Sequence, residues 1–226
     1  MICLSLGGDG MAAVRKKMAA CPPDAALIEL RLDLIADLDL AALLRAKTRP
    51  VIVTNRRREE GGRFAGTEEQ RLDLLCRAAV NGADYLDLEA ATEDRLAERL
   101  FTAVSAAGKS GPRPRIIVSC HDWRGTPGVG SLRRCWRTCR EKGGDIVKVV
   151  TLARRPEDNL RILSLIPYSG SGGRRSSPSP WANRERSAGS CRCCSAPTLP
   201  TPRLPGAGKR RRGSSPAKRC KRRWLY

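Results

Sequence analysis

The chain has 226 residues, with 43 Lys and Arg against 23 Asp and Glu, one His and ten Cys, enough for one large domain or two small ones. Residues up to Ile166 carry 28 basic and 22 acidic side chains, whereas the last 60 carry 15 basic side chains and one acid, Glu185. Ser, Pro, Gly, Lys and Arg supply 40 of those 60 residues, a composition that cannot form a core. We therefore expect a folded part over residues 1–166 and a disordered, low-complexity tail over residues 167–226.

The sequence contains no apolar run of the roughly 18 residues that a membrane-spanning helix needs. Its first residues also lack the basic region with which a signal peptide begins. These features argue against an integral membrane protein and predict a cytoplasmic one. The cysteines of the folded part are scattered through apolar segments, which is typical of free thiols in a reducing compartment.

Short apolar runs alternate with amphipathic stretches along the folded part. Six runs, several rich in Val and Ile, are predicted as strands buried on both faces: Ile2–Leu6, Leu27–Leu32, Val51–Thr54, Tyr85–Leu88, Ile116–Ser119 and Ile146–Val150. Helices are predicted over Met11–Ala20, Leu38–Ala46, Thr67–Asn81, Glu93–Ala107 and Ser131–Lys142, with a sixth beginning at Pro156. The third helix is the best marked, because Thr67 and Gln70 have the spacing of a capping box.

Strict alternation of strands and helices predicts a parallel sheet, either a doubly wound open sheet or a (β/α)8 barrel. The glycine-rich turn at residues 7–10 lacks the G-x-G-x-x-G order of a dinucleotide site, so a Rossmann fold is disfavoured. Charged residues follow several successive strands at their carboxyl ends. In a barrel these ends meet at one mouth, where catalysis takes place, and this favours the barrel.

The second and third strands both end in charged residues. Alternation places Glu29, Arg31 and Asp33 on one side of strand two, where they form either an internal ion-pair network or part of a site. The segment 54–62 holds three Arg and two Glu, and a solvated charge run is the usual explanation of such a cluster. The glycine pair that ends this segment favours a site, because it would let the backbone approach a ligand closely.

The fifth and sixth strands carry the groups best suited to proton transfer and to covalent chemistry. His121, the only imidazole of the chain, lies at the end of strand five and is either structural or a proton shuttle. Lys148 lies within an otherwise apolar strand, where desolvation raises the fraction of neutral amine available to attack a carbonyl. The alternative is a lysine at a strand edge whose ammonium reaches water.

Four segments, at residues 29–33, 54–62, 119–123 and at Lys148, together resemble in order and spacing the motifs of type I 3-dehydroquinate dehydratase. The resemblance covers about residues 1–166. It implies a (β/α)8 TIM barrel, represented here by six β/α units followed by the basic tail. It also implies a homodimer that needs no metal and no cofactor, and the small-molecule substrate 3-dehydroquinate.

The resemblance also implies a role for each matching side chain. Lys148 would form an imine with the C3 ketone of 3-dehydroquinate, and His121 would remove a C2 proton and later protonate the departing C1 hydroxyl. Glu60 would orient and tune His121. The matching substrate-binding positions are Glu29, Arg31 and Arg56, with Ser5 as an addition. The product would be 3-dehydroshikimate, an intermediate of the shikimate pathway to the aromatic amino acids.

The family continues with two more β/α units, which the sequence after Ile166 does not contain. From Pro167 onward there is no Val and no Ile, and buried strands cannot be built without such residues. We therefore expect exposed edges on strands one and six, uncovered apolar helix faces and impaired activity. A reading-frame change near codon 167 is our hypothesis for the tail, and resequencing that stretch tests it.

The alternative function is a nonenzymatic nucleic-acid-binding protein that acts through its tail. Residues 209–212 and 218–223 form two basic patches that would bind phosphate backbones nonspecifically. Four tail cysteines could be considered a zinc cluster, but their spacing fits no common zinc site: Cys191, Cys193, Cys194 and Cys220. Deleting the tail should abolish polyanion binding if this function is right.

Overall fold

The computed structural model describes residues 2–8, 10–170 and 224–225. Its strands are β1 (Ile2–Leu6), β2 (Ala25–Arg31), β3 (Val51–Thr54), β4 (Tyr85–Glu89), β5 (Arg115–Asp122), β6 (Ile146–Thr151) and β7 (Trp224–Leu225). Its α-helices are α1 (Met11–Ala19), α2 (Leu40–Arg45), α3 (Glu68–Val80), α4 (Asp94–Ser110), α5 (Val129–Glu141), α6 (Pro156–Leu163) and α7 (Leu165–Gly170). Short 3₁₀ helices follow β2 and β3, over Leu32–Leu34 and Arg58–Glu60.

The strands form one sheet in the order β6-β5-β4-β3-β2-β1-β7. Strands β1 to β6 are parallel, each paired with the next along the chain, and β7 pairs antiparallel with β1. In a flat sheet β2 and β6 would lie about 19 Å apart, four strand spacings. The ammonium of Lys148 on β6 nevertheless lies 3.3 Å from the carboxylate of Glu29 on β2. The sheet is therefore strongly curled, which confirms the predicted (β/α) barrel in partial form.

Local sequence signals account for the helix starts. Thr67 accepts a hydrogen bond from the Gln70 backbone N–H at 3.3 Å, and Gln70 Oε1 accepts one from the Thr67 backbone at 2.9 Å. This is the predicted capping box at the start of α3. Pro156 occupies the first turn of α6, where its missing N–H leaves no hydrogen bond unmade.

The curled sheet separates two hydrophobic clusters. The larger lies between the sheet and the surrounding helices, with fully buried members such as Leu30, Val53, Leu72 and Leu100. The smaller lies on the concave side and takes one residue from each parallel strand: Cys3, Leu27, Ile52, Tyr85, Ile117 and Ile146. Since side chains alternate along a strand, the residue two positions further on also faces this side and lies nearer the carboxyl ends.

The predicted domain boundary at Ile166 falls inside α7, so the folded part continues beyond it. Within the tail, Trp224–Leu225 forms a short strand on the edge of β1 that the predicted disorder did not include. The remaining tail predictions, including the basic patches and the four-cysteine cluster, fall on residues outside those described. The cysteines of the described part are free thiols.

The incomplete barrel leaves apolar surface uncovered at its β6 end. Within residues 2–170, no second strand pairs with β6 beyond β5. On the neighbouring α6, Leu160 and Leu163 are 66% and 45% exposed, and Leu152 after β6 is 40% exposed. This matches the exposed edge expected for strand six and the uncovered helix face, whereas the edge of strand one, also expected to be exposed, is paired with β7. No helix in the described part of the chain is long and apolar enough to cross a membrane.

Candidate active site

A layer of polar side chains lies directly above the smaller apolar cluster. It consists of the residue two positions beyond each apolar member: Ser5, Glu29, Thr54, Asp87, Ser119 and Lys148. The inward-facing side chains of β1 to β6 thus change from apolar to polar at the same level of the barrel interior. The layer is held by side-chain hydrogen bonds, from Thr54 to Glu29 at 2.9 Å and from Ser119 to Asp87 at 2.5 Å. A polar floor of this kind is suited to a substrate bearing several hydroxyl groups.

Lys148 occupies the centre of this layer. Its Nζ donates to Asp87 Oδ2 at 3.1 Å and to Glu29 Oε1 at 3.3 Å, and its side chain is only 12% exposed. The strand sequence suggested that apolar side chains surround Lys148. This expectation was wrong, because two carboxylates contact its Nζ. Those apolar neighbours belong to its own strand, whereas the carboxylates come from β2 and β4. The amine is therefore buried as predicted, but it is positioned by charged groups.

The charges around Lys148 determine the ionisation of both carboxylates. Burial opposes ionisation of Glu29, but Lys148 and Arg56 hold the pKa of Glu29 below its ordinary value, and Ser5 adds a hydrogen bond. Burial likewise opposes ionisation of Asp87, and Arg56 and Lys148 together lower the pKa of Asp87 strongly. Both carboxylates are thus charged at neutral pH and balance the cations beside them.

Arg56 is buried at the edge of the same layer, with 3% exposure. Its Nη1 donates to Glu89 Oε1 at 2.8 Å and to Ser119 Oγ at 2.9 Å, and its Nη2 lies 2.9 Å from Asp87 Oδ2. Burial disfavours the guanidinium charge, but Asp87 and Glu89 outweigh burial and raise the pKa of Arg56. The guanidinium is consequently a fixed cation at the floor of the site.

Arg31 lies higher at the mouth and is tied to the residue two positions after it. Its Nε and Nη2 each donate to the Asp33 carboxylate at 2.8 Å. Asp33 also accepts from the backbone N–H groups of Arg56 at 3.2 Å and Arg63 at 3.0 Å. The ion pair expected from the alternation at strand two is therefore present, and it anchors the loop that follows strand three.

His121 and Glu60 form the second chemical element of the site. Glu60 Oε2 lies 2.7 Å from His121 Nδ1 and accepts a hydrogen bond from the His121 backbone N–H at 3.1 Å. Burial, with the carboxylate of Glu89 nearby, raises the pKa of Glu60 to about 7. Burial and the positive charges of Arg56 and Lys148 lower the pKa of His121 well below its ordinary value. The imidazole is therefore neutral at neutral pH and can accept a proton.

The loop between β3 and α3 brings Glu60 to His121. Gly61 has a φ of 82°, and a Cβ on Gly62 would lie 1.9 Å from the carbonyl oxygen of Arg56. The glycine pair thus allows close approach of the chain to its own backbone, rather than to a ligand as the sequence suggested. Trp123 also holds Glu60 and His121 in place, because its Nε1 donates to the Glu60 carbonyl at 2.9 Å and its ring stacks on that of His121.

The fold brings all seven residues singled out from the sequence to one end of the barrel. Two buried carboxylates of β4 that hold the site together, Asp87 and Glu89, were not predicted. Their signal was an Asp within the predicted strand Tyr85–Leu88 and a Glu directly after it, each next to a leucine. Arg57 and Arg58, for which the resemblance gives no role, bind Glu59 and the Phe64 carbonyl within the loop.

The arrangement supports amine and proton-transfer chemistry. Among the described residues, no group of three or more His, Cys, Asp and Glu side chains is placed to hold a metal ion. The site combines one buried amine, one neutral imidazole paired with a carboxylate, and the guanidinium groups of Arg56 and Arg31, which carboxylates hold in place. The fold and this site together define a β/α-barrel protein with a lysine at the centre of its mouth.

Comparison with known proteins then specifies the family. The family model described as type I 3-dehydroquinase matches residues 2–170, and the chain belongs to this family. The 3-dehydroquinate dehydratase of Dehalococcoides mccartyi is 37% identical over 146 residues, which cover 63% of this chain and 60% of that protein. The 3-dehydroquinate dehydratase of Desulfotalea psychrophila is 31% identical over 173 residues, which cover 76% of this chain and 74% of that protein.

Solved structures agree on the fold. The 3-dehydroquinate dehydratase structure from Enterococcus faecalis has a TM-score of 0.67 at 24% identity, covering 78% of this chain and 75% of that one. The 3-dehydroquinate dehydratase structure from Aquifex aeolicus has a TM-score of 0.59 at 25% identity, and the match covers 72% of this chain and 71% of that one. The chain spans about three fifths of the length of the first curated relatives it matches. The alternative nucleic-acid function depends on tail residues outside those described, and the family match favours the enzyme.

Proposed function

We propose that the protein is a lyase that dehydrates 3-dehydroquinate to 3-dehydroshikimate through an imine on Lys148. The observation that carries this proposal is the placement of one buried amine between Glu29 and Asp87, in the same barrel mouth as the His121–Glu60 pair. The curated relatives bear the name of this reaction. The shikimate pathway, which leads to aromatic amino acids, is the pathway we propose for it.

The first step begins when the Lys148 ammonium gives a proton to water at the open mouth, and the resulting neutral amine attacks the C3 carbonyl of the substrate. A proton returned from water to the carbinolamine hydroxyl lets it leave as water and gives a protonated imine, which withdraws electrons from C2 and acidifies its proton. Asp87 and Glu29 contact the nitrogen in the free protein and are placed to stabilise this cation. The buried carboxylates therefore support the charge that develops on the nitrogen.

The second step is proton transfer by His121. With Glu60 ionised and accepting from Nδ1–H, the imidazole presents its unprotonated Nε2 as a base. It removes a C2 proton to give an enamine, then donates that proton to the C1 hydroxyl, which leaves as water. Hydrolysis of the product imine consumes the water released when the imine formed and regenerates Lys148. The net change is loss of one water from the substrate.

The remaining cations and polar groups of the site bind the substrate. Arg56 is fixed by Asp87, Glu89 and Ser119, so it offers a preorganised charge to the ring substituents. Arg31, held by Asp33, lies at the mouth with 20% of its side chain exposed. Glu29, with Ser5 beside it, provides an acceptor for a substrate hydroxyl.

Reductive trapping tests the proposal directly. The full chain is mixed with 3-dehydroquinate, treated with borohydride and examined by intact mass and peptide mapping. We expect a mass increase by one reduced substrate, located on Lys148 and absent from Lys148→Ala. The matched control is Lys109→Ala, an exposed lysine in the last turn of α4, which should trap as the unmodified chain does. Absence of any adduct, or an adduct on another lysine, contradicts the proposal.

A further inference from the structure

Arg71 is a buried charge that the chemistry above does not use. It lies on α3 with 1% exposure, and it is the largest of the fully buried side chains. A guanidinium is almost never buried to this extent unless every donor has a partner. Its burial beneath the barrel mouth therefore calls for a specific role.

All five N–H groups of Arg71 can be assigned to acceptors. Its Nε and Nη2 donate to the two oxygens of Glu68 at 2.8 Å each, and Nη2 also donates to Thr92 Oγ1 at 3.0 Å. Its Nη1 donates to the Asn55 carbonyl at 2.7 Å and to Glu89 Oε2 at 2.6 Å. The side chain thus joins α3 to the ends of β3 and β4. A lysine has three donors and no planar fork, so it cannot reproduce this set.

Glu89 connects Arg71 to the site. Its Oε2 accepts from Arg71, whereas its Oε1 accepts from Arg56 Nη1 at 2.8 Å and from the Arg57 backbone N–H at 3.2 Å. The carboxylate is fully buried, so its orientation depends on these donors. Arg71 holds it from the helix side, and Arg56 contacts it from the barrel interior.

Arg71 supplies one of the three cations of the buried cluster, and it is also paired with Glu68, whose side chain is 32% exposed. Three buried carboxylates, Glu29, Asp87 and Glu89, face the three cations Lys148, Arg56 and Arg71. Without Arg71, the buried cluster would contain one more carboxylate than cations, and Glu89 would be free to rotate. Arg56 would then lose the charged one of the two acceptors that hold its Nη1, and Ser119 Oγ would remain as the other.

We propose that Arg71 is a positioning residue that acts through Glu89 to hold the Arg56 guanidinium in its substrate-binding orientation. This inference rests on the proposed function, since it assigns to Arg56 the binding of 3-dehydroquinate. Arg71 itself lies behind Glu89 and does not touch the substrate. Its removal should weaken substrate binding while leaving the amine and the imidazole in place.

A double-mutant cycle tests this inference. In the full chain, the 3-dehydroquinate concentration that gives half-maximal borohydride trapping is measured at fixed pH. We expect Arg71→Lys and Glu89→Gln each to raise it about tenfold, and the double variant to raise it no further, because residues in one network are not additive. The maximal extent of trapping should stay unchanged. Arg99→Lys, an exposed arginine paired with Asp73, is the matched control and should have no effect.

A second measurement needs no substrate. Exchange of the Arg56 side-chain N–H protons with water is followed by ¹⁵N NMR, with the resonance assigned by its loss in Arg56→Lys. We expect Arg71→Lys to speed this exchange by about tenfold, the scale of a one- to two-kilocalorie coupling. Glu68→Gln should also speed the exchange of the Arg56 protons, and it leaves no unpaired carboxylate. This variant replaces Arg71→Lys in the measurement if Arg71→Lys does not fold.

The outcomes of the two measurements separate the inference from the proposed function. An unmodified chain that traps nothing overturns the proposed function, and the exchange measurement then still decides the role of Arg71. Unchanged Arg56 exchange in the folded variants overturns the inference. Fully additive effects of Arg71→Lys and Glu89→Gln on half-saturation overturn it as well.

Discussion

The carboxylate of Glu60 makes two contacts with His121, one to Nδ1 at 2.7 Å and one to the backbone N–H at 3.1 Å. Both contacts use the same oxygen, Oε2, so the Glu60 carboxylate fixes both the imidazole ring and the backbone of β5 at His121. The pKa values of the two residues move in opposite directions, upward for Glu60 and downward for His121. Near neutral pH, therefore, the carboxyl of Glu60 gains or loses a proton while the imidazole of His121 stays neutral.

Glu60 should make the stability of the protein depend on pH. Its folded-state pKa of about 7 lies above the ordinary 4.5, so the folded state binds this proton more tightly than the unfolded state does. The corresponding stability is complete below pH 4.5 and is lost as the pH rises through 7. One pKa unit corresponds to about 1.4 kcal/mol and water screens part of the effect, so the loss is on the order of 2 kcal/mol.

Urea unfolding at pH 5 and pH 8 measures this effect. The difference in unfolding free energy between the unmodified chain and Glu60→Gln should be larger at pH 5 than at pH 8 by about 2 kcal/mol. Glu98→Gln, which changes an exposed glutamate on α4, is the matched control. An equal difference at both pH values for Glu60→Gln would show that the carboxyl does not titrate in this range.

His121→Gln should separate imine formation from proton transfer. The amine of Lys148 is held by Asp87 and Glu29, so the substrate adduct should still form. Removal of the C2 proton should slow by about 100-fold or more, because positioned general-base catalysis contributes about 10²–10⁴-fold. Exchange of the C2 proton in deuterated water, followed by NMR, reports this step. Undiminished exchange in His121→Gln would exclude the imidazole as the base.

Asp87→Asn should be strongly destabilising. Asp87 is fully buried and pairs with both Arg56 and Lys148, so its neutralisation leaves two cations with too little compensating charge. Breaking a buried ion pair in this way costs about 3–5 kcal/mol. The matched surface change, Asp73→Asn, breaks an exposed pair with Arg99 and should cost less than about 1 kcal/mol. Similar unfolding free energies for the two variants would refute a structural role for the buried cluster.

Gly62→Ala should displace the loop that carries Glu60. The new Cβ would lie 1.9 Å from the Arg56 carbonyl oxygen and 2.7 Å from that of Arg57, so the backbone must move. We expect a loss of about 3 kcal/mol in stability and a loss of the His121–Glu60 contact. Gly111→Ala is the control, since nothing lies within 4 Å of its Cβ position. Thermal unfolding compares the stabilities, and the NMR titration of His121 reports the contact.

The sequence by itself determined the six strands and the helices between them, because apolar runs, helical spacing and a capping box depend on neighbours along the chain. The alternation left an open sheet or a barrel, and the charged strand ends together with the family resemblance favoured a barrel of six units. The same patterns placed Lys148 within a strand, His121 at the end of one and Glu60 in the loop after another. Their proposed roles came from the resemblance and stay predictions.

Only the tertiary structure decided which groups surround those side chains. The carboxylates beside Lys148 come from β2 and β4, more than 60 residues away along the chain. Curling of the sheet brings them next to the amine. The same curvature allows Arg71 to meet Glu89, and the backbone crossing at Gly62 sets the position of Glu60. Contacts of this kind depend on strand curvature and packing, which no window of the sequence specifies, because alternation fixes the face of a residue but not its partner across the barrel.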